Sequence, residues 1–92
     1  MVDMVTDNQA ESRYEIHVDG ELAGFLEYRN VGGVLALVHT EVDDAYAGQG
    51  LGGQLAKFAL DDVKARDVKI SPLCPFVAKY IDKHPEYRVT IR

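Results

Sequence analysis

The chain has 92 residues, with 10 Lys and Arg against 15 Asp and Glu for a formal net charge of −5, 47% hydrophobic residues, one Cys and no Trp. This length suits one domain near the low end of what sustains its own core, removing roughly 60–65% of its unfolded surface from water, and leaves no room for a second catalytic domain. The basic residues are too scattered for nucleic-acid or anionic-membrane binding, since the densest group, Lys64, Arg66 and Lys69, is interrupted by Asp67, and a single Cys forbids an internal disulfide and suits a reducing compartment.

Met1 to Ser12 carries Asp3, Asp7 and Glu11 and has no basic segment followed by an apolar stretch. It does not read as a signal peptide and is expected to be a flexible arm, residues 1–12, before a single domain over residues 13–92. No stretch approaches the roughly 18 apolar residues a membrane helix needs, so the expectation is a soluble, cytoplasmic protein. Arg13 to Val18 alternates, with Tyr14, Ile16 and Val18 on one face, and Asp19-Gly20 supplies a hairpin turn. Leu22 to Tyr28 is the returning strand, and Asn30 to Gly33 turns into Val34-Leu-Ala-Leu-Val38, apolar on both faces and therefore central. His39, Thr40, Glu41 and Val42 continue that strand toward its polar end. Leu51, Leu55, Phe58, Ala59 and Val63 recur at three- and four-residue spacing, an amphipathic helix ending near Arg66. Val68 to Leu73 is a short strand. Pro75 then opens a second helix with Phe76, Val77, Tyr80 and Ile81 on its apolar face, stopped by Pro85, and Arg88 to Ile91 is a candidate last strand. The order β-β-β-α-β-α, with a right-handed crossover, gives an α/β fold: a mixed sheet, antiparallel first and parallel at its last strand pair, with two main helices packed on it.

The only glycine concentration, Gly48-Gln-Gly-Leu-Gly-Gly53, falls between the central strand and the first helix. Consecutive backbone N–H groups can converge there with the helix dipole behind them, which suits phosphate oxygens. A nucleotide P-loop requires Gly-Lys-Ser/Thr, and here Gln54 and Leu55 follow Gly53. The dinucleotide pattern is matched at Gly48, Gly50 and Gly53, but no acidic residue follows the next strand. Ala47-Gly-Gln-Gly-Leu-Gly52 resembles the pyrophosphate loop of acyl-CoA-dependent N-acyltransferases, with Ala47 where that superfamily prefers Arg or Gln. A glycine-rich turn without a ligand is the alternative.

Together with His39-Thr-Glu-Val42, Pro72-Leu-Cys-Pro-Phe-Val77 and His84-Pro-Glu-Tyr87, the loop makes the chain resemble the small stand-alone members of the GNAT (acyl-CoA-dependent N-acetyltransferase) superfamily. The resemblance implies a minimal GNAT-like fold without the two helices that normally follow the first strand. It implies acetyl-CoA as cofactor, held by Val42, Ala47, Gly48, Gln49, Gly50, Leu51, Gly52 and Gly53, and an amine-bearing acceptor. Transfer to an amine needs a group that takes a proton and one that protonates the departing thiolate. Glu41 matches the position where many GNAT enzymes keep a base, or it marks a solvated strand end. His39 shares its face and also reads as a hydrogen-bonded structural histidine. Tyr80 stands near where the larger enzymes place an acid tyrosine, although its spacing with Phe76 and His84 also fits core packing. Cys74, at a strand end beside a helix N-terminus that favours thiolate, either takes the acetyl group, lines the thioester pocket or is an inert buried thiol. Three histidines without ligand spacing argue against a metal site, and Pro72-Leu-Cys74 lacks the second Cys of a zinc deaminase. The rival to an acetyltransferase is a non-catalytic CoA-binding or protein-interaction module with a degenerate acceptor site.

Overall fold

A computed structural model describes residues 3–92; Met1 and Val2, part of the expected arm, lie outside the described residues. The strands β1 (Asp3–Asn8), β2 (Arg13–Val18), β3 (Glu21–Val31), β4 (Val34–Val42) and β5 (Lys69–Pro72) form one sheet in that spatial order. The first four pair antiparallel, and β4 pairs β5 parallel from Val34↔Lys69 to Leu37↔Pro72. The fold class read from the sequence is the one observed. Asp19 (φ 50°) and Gly20 (φ 85°) make the β2–β3 turn, and Gly32 (φ 56°) and Gly33 (φ 82°) the β3–β4 turn; paired positive φ matches the twist of a two-residue hairpin.

The expected flexible arm is corrected over residues 3–8, which form the edge strand β1, in register from Asp3↔Val18 to Asn8↔Arg13. Its polar composition hides it from a periodicity search. Tertiary hydrogen bonds supply what apolar packing does not: Tyr28 Oη donates to Asp7 at 2.6 Å, and Gln54 Nε2 to Asp3 at 2.9 Å.

Helix α1 (Leu51–Ala65) buries Leu51, Leu55, Ala56, Ala59, Leu60 and Val63, the face its spacing foretells. Phe58, assigned to that face, is 38% exposed and meets Tyr14 edge-on with ring centroids 5.9 Å apart. Helix α2 (Pro75–Lys83) starts at Pro75 as expected and buries Val77 and Ile81. Phe76, 44% exposed, covers Gly52 of α1 instead of entering the core. Both helices join the core of Tyr14, Ile16, Val18, Leu26, Leu37 and Ile70, so they lie on the same side of the sheet. Each fully buried Leu or Ile there contributes about 1.5–3 kcal/mol. With a shortest dimension of 20 Å, the molecule has two layers, and the other sheet face carries no helix among the described residues.

The candidate strand at 88–91 is also corrected. Residues 85–90 wind as a 3-10 helix, with Thr90 Oγ1 donating to the Tyr87 carbonyl at 2.6 Å, and only Ile91 bridges to Ile70 of β5. Tyr87 anchors this segment through its hydroxyl, which donates to Asp61 of α1 at 2.6 Å. Among the described residues no helix is long and apolar enough to cross a membrane, and no group of three or more His, Cys, Asp or Glu is gathered for a metal.

Candidate functional site

A bulge organises the site. Across β3 and β4 the register runs Glu27↔His39 and then Tyr28↔Leu37, so Val38 has no partner. An extra residue re-aims the strand and reverses the side-chain alternation beyond it. Leu35 and Leu37 face the helices. After the bulge it is Thr40 and Val42 that face them, while His39 and Glu41 point to the open face. Without the bulge, His39 and Glu41 would project into the apolar core.

The loop after β4 begins with Asp43, whose carboxylate accepts from the Ala45 N–H at 2.9 Å and starts a single 3-10 turn, Asp44–Tyr46. Gly48 (φ 81°) and Gly50 (φ 74°) then take left-handed conformations that oppose any Cβ. A Cβ built on either would meet nothing within 4 Å, so the space before the loop is open. Gly50 caps α1 without a side-chain hydrogen bond, and the first turn of α1 contains no acidic residue. The leading N–H groups of a helix have no partner within it. Those of Leu51, Gly52 and Gly53 are free of intrahelical partners and lie at the positive end of the helix dipole, an arrangement that suits an anion.

The glycines differ in what surrounds them. Gly48 and Gly50 face open space. Gly52 lets α2 come close, since a Cβ there would lie 2.9 Å from Phe76 Cζ, whereas one on Gly53 would make an ordinary contact, 3.9 Å from Tyr80 Cε2. Leu51 is buried and Ala47 and Gln49 are exposed, so Leu51 can offer only backbone to a ligand. These residues fit the diphosphate of a CoA thioester, because the open space is the volume that side chains at 48 and 50 would fill.

Beyond Leu37↔Pro72 the parallel strands separate. The Cys74 N–H donates to the Leu37 carbonyl at 2.8 Å and fixes the chain at the parting. Cys74 Sγ lies 3.4 Å from Thr40 Oγ1. Burial pushes the thiol up, but hydrogen bonds from the Thr40 hydroxyl and from the backbone N–H groups of Val77, Phe76 and Thr40 outweigh it and hold Cys74 below the usual thiol range. A buried sulfur surrounded by donors at a helix N-terminus is prepared to carry negative charge.

His39 and Glu41 lie together on the open face, Nε2 to Oε2 4.0 Å, with side chains 54% and 62% exposed. Phe25 meets the His39 ring at 6.2 Å and carries the Arg13 guanidinium 4.8 Å above its centroid. Glu41 also forms one wall of a groove of about 350 Å³, with Leu22 to Phe25 of β3 opposite and Val42, Asp43 and Asp44 at its end. Sequence reasoning overlooked the β3 side of this groove. Its signal was Gly24, a glycine inside a strand: a Cβ there would lie 2.7 Å from the Glu41 carbonyl oxygen.

Tyr80 sits apart from both groups. Its ring stacks on His84 (centroids 4.0 Å, 19° between planes) and tilts against Tyr87 at 6.1 Å. Six residues along the chain from Cys74, it is displaced by about 9 Å of helix rise. Burial is the main cause of its raised pKa, with Asp61 and Glu86 adding and Lys57 opposing. The structure thus brings Cys74 to Thr40, and His39 to Glu41, on the two sides of β4, and places Tyr80 in an aromatic stack between the helices.

Residues 13–90 match the model of the GCN5-related N-acetyl-transferase family, and the chain belongs to that family. Among curated proteins, Protein NATD1 of Gallus gallus and of Mus musculus are each 44% identical to this chain over 52 residues, which cover 56% of this chain and 47% of theirs. The matched stretch spans about half the length of these relatives. An NMR structure of a GCN5-like protein from Staphylococcus aureus superposes with a TM-score of 0.73 at 23% identity, covering 97% of this chain and 87% of that one. Ribosomal-protein-alanine N-acetyltransferase from Brucella melitensis gives a TM-score of 0.59 at 23% identity, covering 87% of this chain and 60% of that one. At that identity the two structures establish a shared fold.

Proposed function

We propose that the domain binds acetyl-CoA with its diphosphate on the 48–53 cradle and its thioester at the parting of β4 and β5, and transfers the acetyl group to an amine. The single observation carrying this reading is the adjacency along β4 of an open, uncapped anion cradle and a donor-surrounded thiol. Acetyl-CoA supplies an activated acetyl group. The N–H groups of Leu51, Gly52 and Gly53 neutralise phosphate charge, which matters in a chain of net charge −5 whose overall field does not attract an anion. Cys74 is the nucleophile: its thiolate gains the acetyl group as CoA leaves as thiolate, and attack by the amine then forms the amide and returns the thiolate. The acceptor enters past the groove between Phe25 and Asp44 and meets the thioester in the opening beyond the last β4–β5 pair, which Glu41 flanks from the open side and Cys74 from the helical side, and Glu41 takes the amine proton. Tyr80 packs the helices together and is assigned no proton transfer.

Intact-mass analysis after exposure to acetyl-CoA tests the nucleophile. One acetyl mass on wild type and none on Cys74→Ala is expected; equal labelling of both removes the covalent route. Turnover with a panel of amines separates enzyme from binding module. Glu41→Gln should lower turnover with acetyl-CoA affinity intact, whereas wild type that binds acetyl-CoA and acetylates no amine supports the module.

A further inference from the structure

The groove that Glu41 walls has two unlike sides. β3 supplies apolar side chains: Phe25, paired with Glu41, and beyond it Leu22, which is 43% exposed. β4 supplies Glu41, and its continuation supplies Asp43 and Asp44. The Asp43 N–H donates to the Ala23 carbonyl at 2.8 Å, so the chain stays extended against β3 past Val42, and alternation returns Asp43 to the face that carries Glu41. The lining contains no Lys or Arg. Among the described residues none of the three carboxylates pairs with one: Glu41 has His39 at 4.0 Å, and Asp43 gives an oxygen to the Ala45 N–H. Arg13, over the Phe25 ring, is taken by Glu15 at 2.6 Å. The adjoining β2–β3 hairpin adds Asp19 and Glu21 at the same end of the sheet.

Charge and apolar surface together describe the acceptor. An amine whose reacting nitrogen stands at Glu41 lays its substituent along the groove, over Leu22 and Phe25, and brings the far end of that substituent to Asp43 and Asp44. Two residue steps of a strand, from Glu41 to Asp43, span about 6.8 Å, a distance that about four methylenes between two nitrogens bridge. The lining ends at Asp44, where the chain turns away in the 3-10 turn Asp44–Tyr46, so the groove suits a short acceptor better than an extended one. We propose that the acceptor is a short aliphatic diamine, with its spacer on Leu22 and Phe25 and its distal ammonium held by Asp43 and Asp44. This rests on acetyl transfer at the opening beyond the last β4–β5 pair, and names the substrate class of that reaction. A substituent ending in a carboxylate or a phosphate is repelled by the same groups.

The test measures kcat/KM for transfer from acetyl-CoA to the α,ω-diamines from 1,2-diaminoethane to 1,8-diaminooctane, with butylamine, 4-aminobutanoate and a lysine-rich peptide alongside. On wild type, 1,4-diaminobutane should exceed butylamine by about fivefold to thirtyfold, the worth of one or two exposed ion pairs and more than a second nitrogen gives by number alone. 4-Aminobutanoate should fall below butylamine, and the diamine advantage should peak near 1,4-diaminobutane and decline toward both ends of the series. In the double variant Asp43→Asn, Asp44→Asn, which keeps an acceptor for the Ala45 N–H, the ratio of diaminobutane to butylamine should drop to its statistical value. An unchanged ratio there overturns the inference. The wild-type series decides the matter if that variant does not fold: equal kcat/KM for the diamines, butylamine and 4-aminobutanoate overturns the inference and leaves acetyl transfer standing. Acetylation of the peptide far faster than of any diamine does the same, because the acceptor is then a macromolecule. Transfer to none of these amines overturns both.

Discussion

The two faces of the sheet contrast in what their side chains do. Beneath α1 and α2, buried residues interlock and the polar groups that enter are paired: the Tyr14 hydroxyl donates to Asp62 at 2.8 Å, Arg66 grips the same carboxylate at 2.9 Å, and Tyr87 reaches Asp61. Among the described residues no buried side-chain nitrogen or oxygen lacks a partner. On the open face, His39 and Glu41 are more than half exposed and two grooves lie between strands. The helical face carries the stability and the open face keeps groups available. Cys74 belongs to the helical side, beside Thr40, and the Gly48–Gly53 loop follows the end of β4.

Substitutions should separate the faces by size of effect. Leu55→Ala, at a fully buried position of α1, should cost about 2–5 kcal/mol in urea unfolding. Glu41→Gln should stay within about 0.5 kcal/mol by the same measurement. A comparable loss in both would erase the division of labour.

The glycines allow a finer comparison. Gly52→Ala gains about 0.5–1 kcal/mol of helix propensity but presses its Cβ on the Phe76 ring, a push of about 1 kcal/mol that Phe76→Ala in the same chain should relieve. Gly48→Ala should cost a similar amount through its positive φ, with no rescue from Phe76→Ala, and should also weaken acetyl-CoA binding. Rescue of both variants would mean that the loop has one structural role throughout.

A smaller effect concerns pH. Glu15 lies on the open face yet is 7% exposed, covered by the groups that bind it. Burial raises its pKa, but hydrogen bonds from Arg13 at 2.6 Å and Asn8 at 3.1 Å prevail and leave it below the ordinary 4.5. A carboxyl whose folded pKa is depressed contributes stability above its unfolded pKa, and loses it as pH falls through the folded value. Stability should therefore decline below about pH 4.5, more shallowly in Glu15→Gln than in wild type. Parallel acid limbs for the two proteins would remove Glu15 from the account.

Legibility in the sequence followed the same division. β2, α1 and the start of α2 were readable because Tyr14-Ile16-Val18, Leu51-Leu55-Ala59-Val63 and Pro75 serve the core or a helix start, and burial imposes a period. β1 was not readable: its residues are mostly polar and Asp3 and Asp7 are held by partners distant in sequence. The Val38 bulge was hidden inside a continuously apolar run in which a change of phase leaves no trace. The 85–90 segment depends on the Tyr87–Asp61 hydrogen bond, a tertiary contact without local signature. At the site, Gly48 to Gly53 suggested an anion-binding loop from their spacing, but only the fold shows that Gly48 and Gly50 face open space while Gly52 lies against Phe76 of α2. That Cys74 meets Thr40, across 34 residues of chain, could not be read from either neighbourhood.

The proposed function stands on receipt of acetyl-CoA by backbone N–H groups at the start of α1 and by the Thr40–Cys74 parting, which titration of acetyl-CoA into ¹⁵N-labelled protein, followed through the amide resonances, puts to the test. The largest shifts should fall on Gly48, Gly50, Leu51, Gly52 and Gly53, with a second group at Thr40 and Cys74, and the first group should stop responding in Gly50→Asp. Saturable binding whose shifts avoid residues 48–53, or that survives Gly50→Asp unchanged, would contradict it.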